Sequence, residues 1–196
     1  MHGVLTGLRT TATLALVSMA LLAAPATAAA SDPPDGATPA FEISVGFNGP
    51  QYRTAEFPGL TLSAAINLTE TPTRGLAAIG EIDASYLRLG RMAGARIYRR
   101  TGPLYATRRS LAYFGQFLLG GVTGGESGVV SSQGGFAVQP GVGIDYGRGA
   151  RAFHLQFDYR AVPGGFIDDA RMPDEHAATL SGARVFLGLT WRFFPR

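Results

Sequence analysis

The chain has 196 residues and no cysteine, and all 17 of its basic residues are arginine, against 14 acidic residues. The formal net charge of +3 is small and spread along the sequence, which argues against nucleic acid as a partner. Without cysteine, neither a disulfide framework nor a Cys-based metal site can form. No run of about 18 consecutive apolar residues is present, so any bilayer contact would have to come from β-strands.

Residues 1–28 have the features of a secretory signal peptide. Arg9 supplies one positive charge, an apolar stretch follows it, and a small-residue cleavage site ends the segment. The apolar stretch is shorter than the ~20 residues that a spanning helix needs. Residues 29–40 are rich in proline and have no apolar period, which predicts a flexible leader. The remaining residues, 41–196, have the length of a single domain.

The domain contains eight segments in which apolar and polar residues alternate with a period of two, as in β-strands with two different faces. In chain order the predicted strands are 41–48, 60–68, 76–87, 92–100, 111–122, 136–146, 153–160 and 184–194. Phe114, Leu118 and Phe186 interrupt the alternation by falling on the polar face. Pro140 cannot donate a ladder hydrogen bond, so we expect a bulge or a weakly paired spot there.

One face of these strands is apolar and the other is charged, and the alternation alone does not say which faces inward. The last strand ends in aromatic residues, which is typical of the interface girdle of a membrane barrel and favours an apolar outer face. The outer face would then carry Tyr86, Tyr113, Tyr146, Tyr159, Trp191 and Phe193, with Arg99 as its one charge.

The inner face would carry five acids, five arginines and four other polar residues. They are Glu42, Glu81, Asp83, Asp145, Asp158, Arg96, Arg100, Arg160, Arg184, Arg192, His154, Gln116, Gln139 and Gln156. An eight-stranded barrel is just wide enough for its own side chains to fill it, and buried charges must be paired. We therefore expect an Arg–carboxylate network that plugs the lumen.

The segments 92–100, 113–121, 136–145 and 155–160 resemble small outer-membrane β-barrels of the OmpA/OmpX type. The resemblance covers about residues 41–196. It implies an all-β fold, an eight-stranded antiparallel transmembrane up-and-down β-barrel, with both termini in the periplasm of a Gram-negative cell. It implies little about function, because such barrels serve as anchors, adhesins or enzymes. The peptidoglycan-binding domain that follows the OmpA barrel is not expected in this chain.

Loop lengths give the predicted orientation, since long loops lie outside the cell and short turns lie in the periplasm. The predicted outer loops are 49–58, 88–91, 123–134 and 162–181, and the predicted turns are 69–75, 101–110 and 147–151. The loop 162–181 is acidic near its middle and is the expected place for an external partner or a Ca²⁺ ion, although its spacing fits no EF-hand.

The sequence shows no credible catalytic residue, cofactor motif or metal site. It predicts a non-enzymatic, monomeric outer-membrane protein with an envelope-structural or surface-interaction role, in contact with outer-membrane lipid and lipopolysaccharide. Three alternatives stay open: a narrow porin gated by the ion pairs, a soluble lipocalin-like carrier with reversed polarity, and a lipid-modifying enzyme using His154, Asp158 and Ser85. The glycines 141, 143 and 147 are expected inside a strand, where they leave room for large lumen side chains.

Overall fold

Eight strands form one closed antiparallel sheet in a computed structural model of the chain. The structure describes residues 36–49, 59–69, 71, 73–85, 88–104, 108–125, 132–163 and 181–195. The strands are β1 (Phe41–Asn48), β2 (Gly59–Asn67), β3 (Arg74–Ser85), β4 (Arg88–Arg100), β5 (Ser110–Gly125), β6 (Ser132–Arg148), β7 (Arg151–Arg160) and β8 (Gly182–Phe193). In the described part of the chain, no helix is long and apolar enough to cross a membrane.

Each strand pairs with the next one along the chain, and β8 pairs back with β1 from Phe41–Phe193 to Asn48–Phe186. This is the up-and-down order that the sequence predicts, and it leaves no open sheet edge. Both strand ends near the termini, at the start of β1 and the end of β8, lie at the same end of the barrel, which we call the terminal end. The opposite end is called the loop end.

The strands are tilted, because the pairing is staggered around the barrel. Followed from neighbour to neighbour, the register leads from Asn48, the last residue of β1, through Phe186, Gln156, Gly143, Phe114 and Tyr98 to Gly75, near the start of β3. A path perpendicular to the strands therefore begins at the loop end and arrives at the terminal end. Closure of a sheet into a narrow barrel requires such a stagger.

Burial alternates along most of the sheet, as the sequence predicts, and the alternation is complete in β7. In β1 it is interrupted at Val45, which is buried although it falls on the apolar face. All of the acids, arginines and glutamines assigned to the inner face are buried, and so is His154. The interrupting residues Phe114, Leu118 and Phe186 also point inward and are buried. The charged face is therefore the inside of the barrel, and a few large apolar side chains share it.

The pairing between β6 and β7 is interrupted at Pro140. The ladder runs from Arg148–Arg151 to Gly141–Asp158, and only a single bridge, between Val138 and Ala161, continues it. On its other side Pro140 pairs with Phe117 in an unbroken β5–β6 register, so there is no bulge. The weakly paired spot is confirmed on the β7 side, where the missing proline N–H leaves a gap.

The predicted connections need correction at the loop end. Residues 88–91, expected as an outer loop, belong to β4, where Arg88 pairs with Ser85 and Arg91 with Ile82. Residues 123–125 and 132–134, also expected in a loop, extend β5 and β6. The sequence concealed the start of β4 because Arg91 lies on the apolar face, whereas backbone pairing does not depend on the side chain. The other loop-end segments lie largely outside the described residues.

Residues 36–40, assigned by the sequence to the flexible leader, are hydrogen-bonded to the terminal end of the barrel. The Ala40 N–H donates to Phe193 O at 2.9 Å, next to β1, and the Gly36 N–H donates to Leu104 O at 3.2 Å, in the β4–β5 connection. Because β1 and β5 stand opposite each other in the ring, this segment passes across the terminal opening. The signal peptide and residues 29–35 lie outside the described residues and stay predictions.

Candidate functional site: the charged lumen

The outer wall of the barrel is apolar over most of its height. Large apolar side chains such as Phe47, Ile97, Phe153 and Leu187 are more than half exposed on it. An apolar outer face and a charged inner face are typical of a transmembrane barrel. A lipocalin-like carrier would have the opposite arrangement.

Aromatic and basic residues edge this wall at the terminal end. Phe41 packs against Phe193 with ring centroids 5.8 Å apart. The Arg109 guanidinium donates a 3.2 Å hydrogen bond to the Tyr146 hydroxyl, and this contact raises the pKa of Arg109. Such pairs are typical of the interface between hydrocarbon and water.

Arg184 is the centre of the ion-pair network in the loop half of the lumen. From β8 it reaches across to Glu81 on β3 with a very short contact, and it donates to Asp158 on β7 at 3.0 and 2.8 Å. Its remaining terminal nitrogen lies 3.6 Å from Asp83 and 3.4 Å from the Thr61 hydroxyl. One guanidinium on β8 therefore contacts side chains from three other strands.

Arg160 makes the second cross-lumen connection, from β7 to β3 on the opposite side of the barrel. It donates two hydrogen bonds to Asp83, at 3.1 and 2.5 Å, and two to the Gln139 carbonyl oxygen, at 2.8 and 2.6 Å. Gln139 in turn donates to Glu81 at 3.0 Å. Bidentate Arg–carboxylate pairs of this kind are the strongest and most directional ones.

The terminal half of the lumen contains a looser group centred on Glu42. Arg100 donates to Glu42 at 3.0 Å, and Arg192 lies 3.7 Å from the same oxygen. Arg96 donates to Gln116 at 3.1 and 2.9 Å and stands 4.1 Å above the Phe114 ring. In this half, three arginines have two carboxylates as possible partners, whereas in the loop half two arginines have three.

His154 occupies the layer between the two groups. Its Nδ1 lies 2.6 Å from Asp145 and its Nε2 lies 3.2 Å from the Gln156 carbonyl oxygen. Phe114 stacks on the imidazole with centroids 5.2 Å apart, and Phe186 packs against it at 4.8 Å. The two phenylalanines that interrupt the sequence pattern therefore enclose this histidine and hold its ring in place.

The charges of the lumen are separated along the barrel axis. Three acids, Glu81, Asp83 and Asp158, face two arginines in the loop half. Two acids, Glu42 and Asp145, face three arginines, Arg96, Arg100 and Arg192, in the terminal half. Among the described side chains the set is balanced at five against five, but each half has one uncompensated charge when His154 is neutral.

The residues considered for catalysis are not assembled. His154 contacts Asp145 and Gln156, whereas Asp158 is bound by Arg184 and Gln156. Ser85 stands at the loop end of β3, while His154 lies near the terminal end of β7. Among the described residues, no group of His, Asp and Glu side chains has the arrangement of a metal site.

The glycines 141, 143 and 147 lie inside β6, as expected, and open no helix. A Cβ on Gly143 would collide with the ring of Phe114, so this glycine makes room for that large side chain. A nucleotide loop is excluded by this placement.

Several buried polar partners were missed by the sequence reading. Asn48 donates to the Thr61 hydroxyl at 3.0 Å, and the hydroxyls of Ser44 and Thr190 lie 2.7 Å apart. The period of two predicts that these residues lie on the inner face. It does not predict which small polar residues form hydrogen bonds across the lumen and which only fill space. The connection residue Leu104, which is buried, had no sequence signal either.

No protein-family model and no curated protein matches the sequence. Solved structures with a similar fold include the N-terminal β-barrel domain of Pseudomonas aeruginosa OprF, at 12% identity and a TM-score of 0.48, covering 78% of this chain and 96% of that one. Ail, the attachment invasion locus protein of Yersinia pestis, is similar at 16% identity and a TM-score of 0.40, covering 80% and 100%. At such identities the likeness concerns the fold alone.

Proposed function

We propose that the protein is a non-enzymatic outer-membrane β-barrel with an envelope-structural or surface-interaction role, and that its lumen is closed by the Arg–carboxylate network. The apolar outer wall supports the membrane location. The contacts of the lumen side chains support a non-enzymatic role. The residues considered for a catalytic triad make hydrogen bonds and ion pairs with other residues and not with one another.

The observation that carries the closed lumen is the set of contacts that Arg184 and Arg160 make across it. Both are fully buried and both bind carboxylates on β3, which faces them from across the barrel. Opening a path for ions would require these contacts to break together, and separating a buried ion pair costs several kcal/mol. Such a barrel would be a rigid membrane-embedded scaffold whose strands are connected by ion pairs inside the lumen.

Cell fractionation tests the location. We expect the mature chain in the outer membrane, with heat-dependent migration on gels that reports a closed barrel. Treatment of intact cells with protease should cut the loop end and spare both termini, which we assign to the periplasm. Recovery of the mature protein from the soluble periplasmic fraction would reject the proposal.

The surface role is assigned to the loop 162–181, of which residues 164–180 lie outside the described residues. Loops on a rigid scaffold carry most binding functions, and this one combines acids with Phe166, Ile167 and Met172. Deletion of residues 166–176 should leave folding intact, abolish binding to extracellular matrix or Ca²⁺, and weaken any binding of lipopolysaccharide that the loop contributes. A deletion variant that folds and retains every interaction of the parent would favour a purely structural role.

A narrow channel is the second candidate, and one feature of the terminal half favours it. Among the described residues, the buried Tyr98 hydroxyl, the Ser110 hydroxyl and the Gln116 amide nitrogen make no hydrogen bond. Buried polar groups are normally satisfied by protein or by water. Water that enters from the terminal end could satisfy these groups, and conduction would then depend on opening only the loop-half network.

A further inference from the structure

Arg91 is an unusual residue of the outer wall. Among the side chains that the structure describes, it is the one charged group that faces outward in the loop half of the barrel. The other outward arginines, Arg74, Arg99, Arg148 and Arg151, stand at strand ends on the terminal side. The register neighbours of Arg91 are Ile82 and Gly121, so its guanidinium emerges from an apolar surface.

A groove lies beside Arg91 on the outer wall and crosses three strands. Its volume is about 480 Å³. The floor is a row of small residues on three adjacent strands, Ala64, Gly80 and Ala93, which are paired with one another in register. Leu62, Ile82 and Leu119 form its sides. A linear hydrocarbon chain fits such a shallow apolar trough, and its charged end would meet the arginine.

We propose that this groove binds a phosphorylated glycolipid of the outer leaflet, with a phosphate on Arg91 and one acyl chain along Ala64, Gly80 and Ala93. Arginine is always charged and presents a planar fork that matches phosphate geometry. A guanidinium on a lipid-facing wall is stable only if it pairs with an anion or reaches the polar headgroup region. A lipid phosphate is an anion that lies in the headgroup region, so it meets both conditions. The choice of leaflet rests on the proposed function, which places the loop end outside the cell.

A second groove on the same wall provides an internal comparison. It measures about 530 Å³ and lies in front of the β6–β7 gap, bordered by Ile97, Gly115, Phe117, Pro140 and Tyr159. No outward charged side chain borders it. The two grooves are alike in size and apolar character, so the arginine is the feature that should give the first one a preference for an anionic lipid.

Four substitutions separate the contributions of charge and shape. Arg91→Gln removes the charge, and Arg91→Lys retains it. Gly80→Leu fills the first groove, and a Cβ at this position meets no atom within 4 Å, so the barrel can accept the side chain. Gly115→Leu fills the second groove, where a Cβ would have only ordinary contacts at 3.9 and 4.0 Å. Heat-dependent gel migration establishes that each variant is folded.

The test is native mass spectrometry of the folded full-length mature barrel, titrated with lipid A or phosphatidylethanolamine in detergent. We expect the parent and Arg91→Lys to retain lipid A in preference to phosphatidylethanolamine. Arg91→Gln should lose about tenfold in lipid A affinity and less for phosphatidylethanolamine, because the single phosphate of that lipid is offset by its own ammonium group. Gly80→Leu should weaken both, and Gly115→Leu should match the parent.

Two outcomes would overturn the proposed site: unchanged lipid A binding by folded Arg91→Gln, or an equal loss in Gly115→Leu and Gly80→Leu. Failure of the proposed function is distinguishable, because it would appear in cell fractionation as a barrel outside the outer membrane. A barrel that fractionates with the outer membrane but shows no lipid A preference would reject this site alone.

Discussion

At the residue scale, the buried arginines hold the strands together across the lumen. Arg160 is fully buried and makes its four side-chain hydrogen bonds to only two residues, Asp83 and Gln139. Loss of the guanidinium would leave a buried carboxylate with only a 3.6 Å contact to Arg184. Breaking one partner of a buried pair is far more harmful than losing an exposed one.

We therefore predict that Arg160→Ala lowers the free energy of unfolding by about 3–5 kcal/mol. The measurement is a urea titration of the barrel in lipid vesicles. Arg151→Ala is the matched control, since Arg151 is exposed on the outer face of the same strand, and it should change stability by about 0.5 kcal/mol or less. An unchanged unfolding midpoint in Arg160→Ala would mean that water already solvates the lumen.

The double variant Arg160→Ala/Asp83→Ala separates the lost contact from the stranded charge. Because the carboxylate that would be left unpaired is also removed, we expect the double variant to be more stable than the sum of the single effects implies. Additive losses would show that the two side chains act independently.

The packing around His154 gives a second prediction at this scale. Gly143→Ala places a Cβ against the Phe114 ring and the Leu155 carbonyl, so the ring must leave its stacking position on the imidazole. We expect a loss of about 1–3 kcal/mol, as is usual when a packed interior is overfilled. Gly80→Ala, whose Cβ would meet open space, is the control and should be nearly neutral. Equal effects of the two substitutions would contradict this account of Gly143.

At the scale of the elements, the period of two predicted all eight strands and the inward position of every acid, arginine and glutamine that it assigned to the lumen. The prediction succeeded because every strand has one face toward the apolar outside of the barrel and one toward the charged lumen. It failed at residues 88–91, since Arg91 on the lipid-facing side breaks the alternation while the β3–β4 pairing continues beneath it. The network partners could not be predicted, because contacts such as Arg184–Glu81 join residues 103 positions apart through the barrel's closure.

The seam between β6 and β7 provides a prediction for an element. Pro140→Ala restores the N–H that Pro140 lacks, so the ladder can close toward Tyr159, and stability should rise by about 0.5–1.5 kcal/mol. Ala161→Pro removes the N–H that Ala161 donates to Val138 O at 2.8 Å and should lower it. Urea unfolding in vesicles measures both. Effects of the same sign, or no effect from either, would contradict the assignment of the gap to the missing donor.

At the scale of the whole molecule, we propose that the barrel separates two environments and that its lumen is closed between them. Its wall is apolar outside, its loop half is crossed by Arg160 and Arg184, and residues 36–40 pass over the terminal opening. The described side chains of the lumen include five acids and five arginines, and most of their contacts are to one another. The closed lumen is therefore the central claim of the proposed function.

Conductance of the purified, folded mature barrel in planar lipid bilayers tests that claim most directly. Gel migration before and after heating verifies that the inserted protein is the closed barrel, and a general porin serves as the positive control. The closed lumen predicts a baseline without stable unitary steps over the range of voltages that the bilayer tolerates. A reproducible, sizeable unitary current from the same preparation would contradict it and would establish the narrow channel instead.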